Sequence, residues 1–190
     1  MQKSSSRHLV IETARLRLFQ FTLDDAPFFM ALTNDKDWLR FIGDKNIHRV
    51  QAARDYLEKL YLPMYAANGF GFYLVELKRQ ENEAAEAIGM CGLIKREGLS
   101  AADIGFAYLP TFRNCGYAHE AAAAILNYAR GTLMMCRVLA IVTPENRASI
   151  ALLEKCGFTF DGETTLPNKE PQPVQQLNRY ALNLRAALLV

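Results

Sequence analysis

Apolar positions along the chain change their period several times, and each change predicts an element. Arg15 to Phe21 alternates, with Leu16, Leu18 and Phe19/Phe21 set against Arg15, Arg17 and Gln20, the two-residue repeat of a strand. Thr22-Leu23-Asp24-Asp25 then reads as a helix start. Thr22 is suited to cap it, the acids fall in the first turn, and Phe28, Phe29, Ala31 and Leu32 form its apolar face. Val50 to Ala67 is a second amphipathic helix, with Ala53, Tyr56, Leu57, Leu60 and Tyr61 at helical spacing and Asn68-Gly69 as its stop. Three strand-like runs follow: Phe70 to Leu77, Ala87 to Ile94 and Ile104 to Leu109. The polar stretches Gln80–Glu83 and Lys95–Ser100 separate them.

The period then lengthens. Tyr117 to Tyr128 is an alanine-rich helix with Gly131 at its end, Val138 to Val142 a buried strand, and Asn146 to Cys156 a helix closed by Gly157. Phe158 and Phe160 open another strand, and Leu177 to Leu184 forms the last. The order β-α-α-β-β-β-α-β-α-β-β predicts one α/β (α+β) domain over residues 9–186, preceded by a frayed polar tail, residues 1–8. The Pro-rich stretch Leu166–Val174 reads as a loop between late strands.

Composition narrows the classes. At 190 residues the chain is long enough to bury a core without staples, and its net charge of +2 comes from scattered rather than clustered basic residues. That argues against nucleic-acid binding. Cys91, Cys115, Cys136 and Cys156 lie far apart, and with His8, His48 and His119 they form no zinc spacing, so no metal site is expected. Isolated cysteines, a polar N-terminus and the lack of an apolar run of roughly 20 residues point to a cytoplasmic protein without a membrane span.

The segment Ile104 to Ala121 runs strand, turn, helix, and its turn holds Arg113-Asn114-Cys115-Gly116-Tyr117-Ala118. The first amides of a helix have no internal partner, and the helix dipole adds positive charge there. Gly116 permits close approach, Ala118 keeps it open, and Arg113 adds a cation. The turn is therefore either a cradle for a pyrophosphate or a tight connection with no ligand. A second strand-to-helix segment, Thr143 to Phe158, has its own capping logic, with Thr143 or Asn146 as cap, Pro144 in the first turn and Gly157-Phe158 as the stop. Cys115 at a helix start, one turn before His119, also permits a Cys–His nucleophile.

Together these segments resemble the GNAT superfamily of acetyl-CoA-dependent N-acetyltransferases. Arg113–Ala118 is similar to its pyrophosphate loop, and Asn146-x-x-Ser149 with Glu154–Phe158 is similar to its second CoA-contacting helix. Ile11–Leu18 and Gly116–Ala121 resemble the ribosomal-protein-alanine N-acetyltransferase branch. The resemblance implies a splayed, mostly antiparallel sheet of about seven strands and a pantetheine arm lying along Phe106, Ala107 and Tyr108. It also implies contacts to acetyl-CoA from Arg113, Asn114, Cys115, Gly116, Tyr117, Ala118, Asn146 and Ser149.

The implied reaction is attack of a primary amine, on a protein N-terminus or a small molecule, at the thioester. The alternative is a non-catalytic acyl-CoA sensor. Leu153 stands where many members carry the Tyr that protonates the departing thiolate. Ser149 is the replacement donor, and Asp103 is the candidate base, with Glu76 behind it. Glu120 is expected to hold the pyrophosphate turn. Trp38, Arg40, Phe41, Tyr56 and Tyr61 are candidates for the acceptor pocket. A monomer or a homodimer would serve.

Overall fold

The computed structural model describes residues 7–79, 85–165 and 176–184. The turn expected at Gln80–Glu83, the loop at Leu166–Val174, most of the N-terminal tail and the run from Arg185 lie outside the described residues. The strands are β1 (Leu9–Glu12), β2 (Leu16–Gln20), β3 (Phe72–Leu77), β4 (Glu86–Ile94), β5 (Asp103–Tyr108), β6 (Arg137–Val142), β7 (Thr159–Thr164) and β8 (Leu177–Asn183). They form one sheet in the order β1-β2-β3-β4-β5-β6-β8-β7. The sheet therefore has eight strands where about seven were expected. The addition is β1, too short to announce itself by alternation.

The helices are α1 (Ala26–Thr33), α2 (Lys36–Phe41), α3 (Val50–Tyr56), α4 (Leu62–Asn68), α5 (Tyr117–Gly131) and α6 (Arg147–Lys155). Successive residues of a strand face opposite sides of a sheet, and β3 is buried on both. Tyr73 and Val75 join the core beneath α5 and α6, with Ile125, Ala129, Ile150 and Leu153. Phe72 and Leu74 join a second core beneath α1 to α4, with Phe21, Phe29, Trp38 and Leu57. The buried stripe of α5 is mostly alanine (Ala121, Ala122 and Ala129), and such small side chains let the helix lie close to the sheet.

The single helix expected over Val50–Ala67 is interrupted by a π-helical turn, Leu57–Tyr61. Pro63, at the start of α4, is the physical reason. It has no N–H to offer the carbonyl four residues back, and its ring crowds that carbonyl, so the ladder widens there. The wider turn brings Tyr56 and Tyr61, five residues apart, onto one face with ring centroids 5.7 Å apart. On a regular α-helix they would diverge by about 140°.

All neighbouring strands pair antiparallel except β5 and β6, which run parallel and share a single register pair, Asp103 with Leu139. The Leu139 amide donates to the Ala102 carbonyl at 2.9 Å, and beyond that rung the two strands part. This seam positions the site.

Candidate functional site

Which backbone groups open into the seam follows from the period of two. The Leu109 amide donates to Ile88 on β4, while the Ala102 carbonyl faces β6. Odd-numbered residues of β5 therefore spend their backbone groups on β4, and even-numbered residues turn theirs toward the seam. Phe106 presents its amide and carbonyl there. Tyr108 does too, although its carbonyl accepts from Arg113 Nε at 2.9 Å. Of the expected edge residues, Ala107 is the one whose backbone faces the other way, toward its partner Met90.

The turn after β5 ends at Gly116, which has φ of +80° and precedes α5 with no side-chain cap. The first intrahelical bond runs from the Glu120 amide to the Gly116 carbonyl, so the amides of Tyr117, Ala118 and His119 have no partner within the helix. Asn114 also has positive φ, at +61°. A Cβ on Gly116 would come within 3.3 Å of the Arg15 guanidinium. Exposed Cys115 donates its thiol to the Arg113 carbonyl at 3.3 Å, and no hydrogen bond joins it to His119 among the described residues.

Arg113 itself is turned away from this helix tip. Its two terminal nitrogens pair with Asp35 and Asp37 at the start of α2. The cation beside the tip is Arg15, which sequence reasoning did not single out. Arg15 donates to the Cys115 carbonyl at 3.1 Å and lies 4.6 Å over the Tyr117 ring. Glu120 fastens it. One carboxylate accepts from the Thr13 hydroxyl at 2.6 Å, the Arg15 amide at 2.9 Å and Arg15 Nε at 2.6 Å. Partial burial raises the Glu120 carboxyl, but these donors outweigh it and hold it below the usual glutamate value.

The seam opens into a cleft of about 490 Å³ between β5, β6 and α6 on one side and α2, α3, the π turn and α4 on the other. Asp103, Phe106, Asn146 and Ser149 meet there, as do Trp38, Phe41, Tyr56 and Tyr61. Arg40 does not line it, and its guanidinium lies over the Phe41 ring. Glu76, the second base candidate, is elsewhere. It is buried, and Arg7 bridges it to Asp25. Asn146 caps α6, its Oδ1 accepting from the Ser149 amide at 3.1 Å, and Leu153 occupies the wall one turn further on.

Asp103 is 1% exposed and is held by Arg96, whose Nε reaches its two oxygens at 3.0 and 3.1 Å. Burial pushes its carboxyl up to about 6, against the opposing pull of Arg96. Arg96 and Lys45 both line the cleft and were both missed, because each sits in a polar stretch that reads as a connection. Trp38 and Thr143 also line it, but the Trp38 indole nitrogen and the Thr143 hydroxyl are themselves buried, without a hydrogen-bond partner among the described residues. Such atoms are costly unless a ligand or water engages them.

Comparison with known proteins decides the family. The family model described as an acetyltransferase (GNAT) domain matches residues 15–159. The chain belongs to the GNAT acetyltransferase family. Its relatives include an uncharacterized N-acetyltransferase of Bacillus subtilis, YoaA, 27% identical over 80% of this chain and 84% of that protein. Another is the Bacillus subtilis protein YkkB, also 27% identical, over 92% and 96%. A GNAT-family acetyltransferase from Bacillus anthracis superposes with a TM-score of 0.72 at 26% identity, covering 92% of this chain and 98% of that one. The fold is shared with a Vibrio cholerae spermidine N-acetyltransferase in complex with CoA and spermine (TM-score 0.71, 21% identity, 90% and 97% covered). Like these GNAT proteins, the chain is an acyltransferase. Among the described residues no helix is long and apolar enough to cross a membrane, and no cluster of His, Cys, Asp and Glu is placed to hold a metal.

Proposed function

We propose that the protein transfers an acetyl group from acetyl-CoA to a primary amine by direct attack on the thioester. The observation that carries this reading is the one-rung seam. It leaves the Phe106 amide and carbonyl without a strand partner among the described residues, beside an uncapped helix tip, as an extended pantetheine arm ending in a diphosphate requires. The amides from Cys115 to Ala118 would receive the diphosphate, with Arg15 beside them. Asn146 would use its amide nitrogen on the arm, since its Oδ1 is committed to capping α6. Coenzyme A in solved structures of this fold supports the same donor.

The chemistry needs a proton acceptor, because an alkyl amine is mostly protonated near neutrality. Asp103 faces the cleft, and its raised pKa of about 6 leaves it ionised at neutral pH yet more basic than an ordinary aspartate. Ser149, lining the same cleft from the first turn of α6, would donate toward the departing sulfur in place of the missing tyrosine.

The test is release of free thiol from acetyl-CoA with and without amines, including peptide N-termini. Acceptor-dependent release is expected. Its rate should rise as pH increases through about 6, where Asp103 loses its proton. Asp103→Asn should remove that acid limb. CoA binding with no acceptor-dependent release would instead favour an acyl-CoA sensor, the reading that Leu153 supports.

A further inference from the structure

The acceptor side of the cleft is aromatic, built from Trp38, Phe41, Tyr56 and Tyr61, and its charges are unequal. Lys45 and Arg96 reach it as cations, and Asp103 is the one carboxylate among the described lining residues. Arg96 already answers Asp103 through Nε, while its two terminal nitrogens have no protein partner among the described residues. Lys45 makes no ion pair among the described residues either, and its neighbour Asp44 is engaged with His48 at 3.1 Å. Partial desolvation and then the Arg96 charge pull the Lys45 ammonium below its ordinary value, against the opposing pull of Asp44, while burial raises the Tyr56 and Tyr61 hydroxyls and the Arg96 charge opposes that rise.

A cleft with surplus donors and one neutralised carboxylate is built for an anion. A polyamine would bring a second cation toward Lys45 and Arg96 with no acid to receive it. A ligand carboxylate, in contrast, suits the paired N–H groups of a guanidinium.

We propose that the acceptor is an amine bearing its own carboxylate and an apolar side chain, an aromatic or large aliphatic amino acid, with Arg96 and Lys45 holding the carboxylate. This rests on the amine-acetyltransferase reading above. The amine nitrogen forms the new bond to the thioester carbon and the carbon–sulfur bond breaks. The bonding pair leaves with the sulfur as CoA thiolate, Asp103 takes the one proton the neutral amine loses, and Ser149 protonates the thiolate and regains its proton from Asp103 by way of solvent, so that the products are an N-acetyl amino acid and CoA thiol.

The experiment compares L-phenylalanine with L-phenylalaninamide, L-methionine with L-methioninamide, and both acids with spermidine, following thiol release from acetyl-CoA. The amides have the less basic amines, so supply of neutral amine works against the expected result. The acids should win by tenfold or more in kcat/KM, chiefly through KM. Lys45→Gln should collapse that ratio, and Lys45→Arg should keep it. Equal or better use of the amides or spermidine, or a ratio untouched by Lys45→Gln, would overturn the proposal.

Calorimetry of the same ligands against the protein saturated with CoA separates the two readings. A preference for the acids in binding, with no thiol release from any amine, would retain the carboxylate recognition and remove acetyl transfer. Thiol release without any preference for the acids would do the reverse. No preference in either measurement would end the proposal.

Discussion

Helices α5 and α6 are each the next helix after a strand that borders the seam, joined to it by a short connection, and their first turns are finished in opposite ways. At α6 the chain supplies its own acceptor, Asn146 Oδ1, for the Ser149 amide. At α5 the preceding residue is Gly116, which has no side chain to offer, and the first amides stay open. Both helices carry a dipole, but only the uncapped tip can pass its positive end to an outside anion. A helix tip stays available to an outside anion when its neighbours decline to cap it.

The strongest test of this contrast is Gly116→Glu. The residue sits at φ +80°, where a side chain is strained, and the carboxylate would fall on the open amides beside Arg15. Affinity for CoA should drop about a hundredfold or more, roughly 3 kcal/mol, by calorimetry, with the folded circular dichroism spectrum retained. Unchanged affinity would mean that α5 does not hold the diphosphate.

Glu120→Ala should come next in size. It removes a carboxylate that accepts three hydrogen bonds, one of them from the Arg15 guanidinium, and should cost about 2 kcal/mol, or roughly 4–8 °C in Tm. Because the folded-state pKa of Glu120 is lowered, its stabilisation is present above the ordinary glutamate pKa and lost as pH falls through the folded value. The gap in Tm between wild type and variant should therefore close in acid. A gap independent of pH would deny the carboxylate its role.

The smallest effects belong to α6. Asn146→Ala should cost about 1 kcal/mol of stability, roughly 2–4 °C, as a lost cap does. Asn146→Asp keeps the accepting oxygen and should leave Tm nearly unchanged while weakening CoA binding, since only the amide nitrogen is lost. Equal damage from both substitutions would show that capping is the whole of its role.

Strong periodicity made most of the fold legible. β3 to β6 and the helices α5 and α6 stand where their patterns predicted, because each buries a long stripe or an alternating face. What escaped was short or answered to distant residues. β1 has four residues, and α2 is a six-residue helix whose N-cap Asp35 also serves Arg113, many positions away. Arg113 fitted the turn's motif, yet no local pattern announces that Asp35 and Asp37 will claim it. Arg96 and Lys45 lie in stretches that read as linkers, and their place in the cleft depends on how strands and helices stack. The contrast between Gly116 and Asn146, in comparison, is local, and it was visible in the residues themselves.

Glu120 carries one more implication. Its partners Thr13 and Arg15 lie 107 and 105 positions earlier in the chain, so this fastening is among the long-range contacts of the molecule. Such contacts form only after a large loss of chain freedom and tend to lag behind local ones during folding. A nascent chain that has emerged only as far as β5 can pair its first strands, but it has no carboxylate with which to set Arg15. The end of the site proposed to hold the donor thus matures late, after most of the chain has been synthesised.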